Sequence, residues 1–524
     1  MAMSSPRSLV FLLALLFCAS LGCAEDPVFT ADLTVSPTSP LAGQPFALIA
    51  TIERASGSEL GDVAVTVSAS NGTQQIAEVV FASVEAANTY EASDVVFAEA
   101  GAWNIKLRVD DGKAREKFAY LLHIPEPRCD DDVSNGNETD VDCGGDACTG
   151  CLHDAACNSA DDCLTGICSD GLCGLPPGGL IGYQDGSPDS VSLTLITDQQ
   201  LSLPRDLDFN PNEENEIWVA NYANDSLTVV ENAGKPDQSV QRFEDYTKHF
   251  LERVTAISFA PTSTTGPTST FGTCGESRNT YDDLDHANDY MGPVLWPADT
   301  EVFTAEECNN VAHHICDAAN VHLDMLHSTP LCMGIASTGG NAFYAFGGLH
   351  DTIFWYDFGV PHVHGGDDHT DGDAYVFANV SVRRSAGVPS NMIFDFNTAW
   401  LYVADSGNGR VFRMRQDNVQ IDQQLPTHHA DGELHQVQNV TIEMVIPSES
   451  GLVATPSGLD LHGDELYVAD YGTGMIHAVT STGTVIRSLD TGLGAGSLGG
   501  LTIGPDDRIY FVDMKLGRIL RIDP

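Results

Sequence analysis

The chain of 524 residues carries 24 Lys and Arg against 74 Asp and Glu, a formal net charge of −50. A surface this acidic repels phosphate backbones and anionic headgroups, which argues against nucleic acid and polybasic membrane docking. With 42% hydrophobic and 19% charged residues it can build sizeable cores, and its length predicts about three domains.

Arg7 precedes an apolar run from Leu9 to Leu21, the length of a signal-peptide core and short for a membrane span. The run ends Ala19-Ser20-Leu21-Gly22-Cys23. That ending resembles a bacterial lipobox, and the resemblance implies lipidation of Cys23 in the cell envelope, at the outer membrane or in the periplasm. The alternative is ordinary secretory cleavage near Ala24 and a secreted product. Residues 1–23 are read as leader, and a lipid anchor is the one membrane contact expected. The cysteines agree with export. Two of the fourteen fall in the leader, eight lie between Cys129 and Cys173, and four between Cys274 and Cys332. An even, clustered set in an exported chain reads as disulfides whose pairing the spacing leaves open.

Residues 28–124 alternate as strands do. Phe46, Leu48, Ala50 and Ile52 share one face, as do Val63, Val65 and Val67, then Trp103, Ile105, Leu107 and Val109. Pro37, Pro40, Gly43, Gly61 and Gly101 punctuate them. The pattern predicts an immunoglobulin-like β-sandwich with Trp103 in its core. The strand opening at Gly101-Ala102-Trp103 is similar to small envelope domains of the YtkA type. Residues 128–174 are too few for an ordinary core and depend on staples. Their NGNETDVDCGG phrase resembles the cysteine-rich modules of exported myxobacterial-type proteins.

From residue 180 to 524 the chain repeats. EIWVANYANDSLTVV, NAFYAFGGLHDTIFWYD, WLYVADSGNGRVFRM, ELYVADYGTGMIHAV and RIYFVDMKLGRILRI each read strand, turn, strand, and a degenerate sixth unit includes FGTCGESRNTY. Their aligned aromatics, Trp218, Phe271, Tyr344, Tyr402, Tyr467 and Tyr510, lie 43 to 73 residues apart. Such a period is a propeller blade with loop insertions. The LYVADSGNGRV run resembles the NHL repeat, which implies an all-β, six-bladed propeller and no particular function. The insertions fall at 281–331 and 360–373.

Departures from a repeat are where chemistry is sought. Eight of the 17 histidines fall between His313 and His369. HLDMLH contributes His322, Asp324 and His327, and HVHGGDDHTDGD contributes His364, Asp367, Asp368 and His369. Imidazoles and carboxylates converging on loops are ligands for Zn²⁺, and the acidic run alone would suit Ca²⁺. Cys274, Cys308, Cys316 and Cys332 are expected to staple this insertion to the blades. Glu276, Arg278 and Asn279 are candidate ligand contacts in the channel, with a structural salt bridge as the alternative. No nucleophile elbow, H-E-x-x-H helix or P-loop occurs.

Two functions follow as expectations. In the first, the propeller binds a protein, glycan or small-molecule partner, with a His/Asp metal site in its insertions. In the second, it is a zinc- or calcium-dependent lyase or hydrolase with its site at the mouth of the central channel. Six-bladed propellers include calcium-dependent lactonases and a zinc-dependent amidating lyase, which this fold resembles.

Overall fold

The computed structural model describes residues 28–524 except 37–41, 44, 72–73, 85, 125–128, 130–133, 135–137, 146–147, 245–249, 262–269, 280–288, 301–321, 362–368, 418–419 and 428–431. Cys23, His364, Asp367, Asp368, Cys308 and Cys316 therefore lie outside the described residues. The chain divides into two units, Met1–Gly174 and Leu175–Pro524. Both are built of β-strands.

In the first unit two four-stranded antiparallel sheets share one core. Phe29–Ser36, Pro45–Arg54, Thr89–Val96 and Ala82–Ser83 form one, and Gln75–Val80, Ala64–Ser70, Gly101–Asp110 and Arg115–Ile124 the other. The alternation foreseen for these strands places Leu48, Ala50, Ile52, Leu107 and Val109 inside. Trp103 is fully buried, packs edge-on against Phe97 at 4.4 Å, and donates its indole N–H to the Glu99 carbonyl at 2.9 Å. The cysteine-rich segment is held by Cys129–Cys148, Cys143–Cys151, Cys157–Cys168 and Cys163–Cys173. Its largest buried groups are the cystines themselves, as expected where too few residues exist for an apolar core.

The described residues of the second unit form six sheets, one for each sequence repeat. Numbered along the chain, sheet 1 opens with Pro204–Phe209, sheet 2 with Val254–Phe259, sheet 3 with Cys332–Gly339, sheet 4 with Met392–Asp395, sheet 5 with Pro456–His462 and sheet 6 with Leu498–Ile503. These opening strands touch one another in cyclic order, and sheet 6 returns to sheet 1, which is the arrangement of a β-propeller. The aligned aromatics all fall on second strands. Those strands have a sheet on either side, so they read as continuous apolar runs: Ile217–Asn221, Trp400–Asp405 and Ile509–Asp513 are buried at every position. Outer strands such as Ser239–Glu244 are largely exposed.

The D-x-x-x-x-R spacing inside the repeat has a local cause. Buried Asp405 accepts from Arg410 Nε at 2.8 Å, and Asp513 accepts from Arg518 Nε at 2.8 Å, so each carboxylate ties the second strand to the third across their turn. Sheet 5 has Met475 at the arginine position, and there Thr473 donates to Asp470 instead, at 2.7 Å.

Three features were not foreseen. Ser192–Thr197, which precedes sheet 1, pairs with Arg518–Asp523 and supplies the outer strand of sheet 6, closing the ring. The hairpin Gln420–Leu425/Glu433–Gln438, inserted before the outer strand of sheet 4, adds to sheet 3 through a parallel pairing with Asp373–Phe377. Finally, Cys274–Cys332 links the second strand of sheet 2 to the first strand of sheet 3. It joins neighbouring sheets, where a staple on the insertion had been expected.

Candidate metal centre

His322, Asp324 and His327 lie on one short stretch centred on Asp324–Met325, the outermost strand of sheet 2. Asp324 pairs with Leu295 and Met325 with Val294. The backbones approach so closely that a Cβ on Gly292 would sit 1.7 Å from the Leu326 carbonyl oxygen, so that position needs glycine. His369 arrives from sheet 3, on the connection between Thr352–Asp357 and Asp373–Phe377.

The four residues meet. His369 Nδ1 lies 2.7 Å from Asp324 Oδ1, and the same oxygen accepts the Met325 N–H at 2.7 Å. A carboxylate can only accept, so His369 donates from Nδ1 and keeps its lone pair on Nε2. Asp324 is fully buried, and its Oδ2 has no hydrogen-bond partner among the described residues. The His369 ring centre is 6.1 Å from that of His322 and 6.0 Å from that of His327. An imidazole centre sits about 3 Å from an ion it ligates, so two on one tetrahedral zinc are about 5 Å apart. The spacing here is wider by about an ångström, and these residues do not bring three ligand atoms within 4.8 Å of one another, so holding an ion would require the rings to move inward.

Two aromatic walls fix the flanking rings. His322, 4% exposed, stacks on Phe250 at 3.9 Å, and His327, 2% exposed, packs on Tyr290 at 3.6 Å. Tyr356 of sheet 3 donates its hydroxyl to the His327 carbonyl at 3.0 Å. The donor set is imidazole and carboxylate in a largely dry setting, which fits a zinc-class ion better than calcium with its six to eight oxygens.

A second, more open group lies close by. Ligand atoms of Asp373, Glu433 and His435 all fall within 4.8 Å of one another. Burial first, then the neighbouring Glu433 and Asp357 carboxylates, push the Asp373 carboxyl up. Cys148 and Cys151, spaced like zinc ligands, are both in disulfides.

This His/Asp cluster sits at the outer strands of sheets 2 and 3, away from the central channel mouth to which the enzyme expectation assigned a metal site. The reason is topological: the stretch 281–331 itself supplies the third and fourth strands of sheet 2, Val294–Pro297 and Asp324–Met325, which lie two and three strands out from the ring's inner edge.

Glu276, Arg278 and Asn279 separate. Glu276 is buried, forms an ion pair with Arg384 and accepts the Gly387 N–H at 2.9 Å. Arg278 points outward and is held by Asp289 at 2.6 Å. Asn279 is buried with a left-handed φ of 53°. The salt-bridge alternative is thus the arrangement seen for the first two.

The ring's inner edge holds residues the sequence reading passed over. A cavity of about 290 Å³ is lined by all six opening strands and includes Asp206, Asp208, Asn391 and Asp460. Asp208 accepts the Phe259 N–H at 2.8 Å and Asp460 the Ile503 N–H at 2.7 Å, each from the next sheet. Burial pushes Asp206 and Asp460 up to about 6 and Asp208 to about 8. The available signal was their place in the repeat, PRDLDF and PSGLDL, where an acid stands amid apolar residues.

No known family and no curated protein matches the sequence. Solved structures resemble it distantly. A Bacteroides thetaiotaomicron protein of unknown function is 10% identical over 95% of this chain and 98% of its own, with a TM-score of 0.41. An auxiliary nutrient binding protein from the same organism is 12% identical over 93% and 96%, at 0.40. Apo AztD from Citrobacter koseri is 7% identical over 87% and 94%, at 0.25. At these values no ligand or activity passes from those proteins to this chain.

Proposed function

We propose that the chain is an exported binding protein whose NHL-type propeller holds one divalent ion of the zinc class between the outer ends of sheets 2 and 3. His322, His327 and His369 serve as ligands, and Asp324 orients His369. The observation that carries this reading is the fully buried Asp324 bonded to His369 Nδ1 with two further imidazoles about His369. A carboxylate on the far nitrogen is the usual device for aiming the near one at a metal. His364, Asp367 and Asp368 belong to the same proposal as further ligands from the second insertion. Tethering through Cys23 would place the site outside the cytoplasm, where the five disulfides among the described residues persist.

The test is metal analysis of purified full-length mature protein after dialysis against a zinc buffer. One zinc per chain is expected, and His369→Ala should release it. Protein that retains no zinc, or a variant that retains as much as the parent, would defeat the reading.

A further inference from the structure

The end of the ring that carries Glu276 has a chemistry of its own. Arg205, on the opening strand of sheet 1, is 8% exposed, and its Nε has no hydrogen-bond partner among the described residues. Its other contacts are weak for a guanidinium. Nη1 reaches the Leu203 and Pro204 carbonyls at 3.3 Å each, and the group stacks over the Tyr222 ring at 4.8 Å. The charges of Glu276 and the hydroxyls of Tyr222 and Tyr471 are near enough to act on it. Those side chains come from the turns that follow the second strands of sheets 2, 1 and 5, and residues from sheets so far apart in the ring can meet only on its axis.

Among the described residues, charge does not balance there. The Glu276 carboxylate is already engaged by Arg384 and by the Gly387 N–H, so two guanidinium groups share one acid. An incompletely paired cation in a buried place is costly, and it stands out in a chain whose net charge is −50.

We propose that this end of the channel is a binding site for a small organic anion, a carboxylate. Arg205 is its charged anchor, and the Tyr222 and Tyr471 hydroxyls stand at its margin. The carboxylate would supply an acceptor for the Arg205 Nε, which has none among the described residues. Arg384 and Glu276 act as positioning residues: the pair holds the turn of sheet 2 against the segment ahead of sheet 4. The anion site is separate from the metal cluster and does not depend on it, since Arg205 lies on an innermost strand and Asp324 on an outermost one.

Calorimetric titration of the full-length mature protein with succinate, at low and at physiological salt, tests this. Saturable binding is expected, weakening with salt, and Arg205→Gln should weaken it by about tenfold or more. Phosphate run in parallel separates a carboxylate site from a general anion site: binding equal to that of succinate would overturn the carboxylate assignment. Arg278→Gln, at an outward pair, should leave succinate binding unchanged. In the absence of ligand Arg205→Gln should melt no lower than the parent, because it removes a buried charge without removing a strong bond. Absence of succinate binding in the parent, or equal binding by Arg205→Gln, would overturn the proposal. The zinc content of these proteins reports on the metal site independently.

Discussion

Asp324 and His369 show how one hydrogen bond decides what a side chain offers. With Nδ1 committed to Asp324, the His369 tautomer is set and Nε2 is left to act as an acceptor, with the His322 and His327 rings about 6 Å away. Replacing Asp324 by Asn keeps the volume but allows the amide to donate, so the ring can turn or take the other tautomer. Zinc affinity of Asp324→Asn should fall by about 10- to 100-fold in a competition titration with a chromogenic chelator, while the circular dichroism stays that of the parent. An unchanged affinity would mean that Asp324 serves only to cap Met325. At this scale the sequence was informative where residue types were improbable. Histidines crowded into insertions stood out, and His322, Asp324, His327 and His369 do come together. Arg205 and Asp208 did not stand out, because each occupies a regular repeat strand and its meaning depends on which strands face the axis. Glu276 was noticed for its polarity, yet its partners Arg384 and Gly387 lie more than a hundred residues away, a pairing no local pattern encodes.

At the level of elements, the second strands were the most legible part of the molecule, since burial on both faces demands an unbroken apolar run with a small or acidic turn after it. The strand Ser192–Thr197 was hidden for the opposite reason. It is an outer strand, SLTLIT, exposed or half-buried over its first four residues and buried only at Ile196 and Thr197, and it carries no repeat motif. It nevertheless supplies the hydrogen-bonding partner of Arg518–Asp523, so without it sheet 6 would present a bare edge. A chain in which Leu193 and Leu195 are both changed to Pro cannot donate those ladder bonds. It should lose the single cooperative melt of the propeller and elute as aggregate on size exclusion; a monomer with the parent's melt would show the closure to be dispensable. The disulfide Cys274–Cys332 makes a second link between elements, tying the second strand of sheet 2 to the opening strand of sheet 3. Its removal by paired Cys→Ser substitution should cost about 2–5 kcal/mol of stability, read by chemical denaturation with and without reductant. A parent whose midpoint is insensitive to reductant would contradict the link's role.

Across the whole molecule, the ring lines its axis with acids, Asp206 buried and Asp208 and Asp460 half-buried. Asp206 and Asp208 tie the opening strand of sheet 1 to that of sheet 2, and Asp460 that of sheet 5 to that of sheet 6, by accepting backbone N–H groups, and desolvation raises all three above the ordinary carboxylate range. A group with a raised folded-state pKa contributes its full stability below the unfolded value, here about 4. That contribution is lost as pH rises through the folded value. The loss therefore falls between about pH 5 and 8, with Asp206 and Asp460 ionising near 6 and Asp208 near 8. Mutual repulsion among the remaining acids of a chain at −50 acts in the same direction. The propeller's thermal midpoint should thus drop as pH is raised from 5 to 8.5. Asp208→Asn, which keeps an oxygen to accept the Phe259 N–H but has no proton to lose, should flatten the upper part of that slope. The salt-bridged Asp110 and Asp111 of the first unit, held down to about 2 by backbone N–H and arginine donors, behave oppositely and matter only in stronger acid. Scanning calorimetry at a series of pH values resolves the two units if they melt apart. A propeller midpoint that climbs toward pH 8, or an Asp208→Asn profile parallel to the parent's, would mean that these acids ionise freely and that the axis is wetter than its geometry implies.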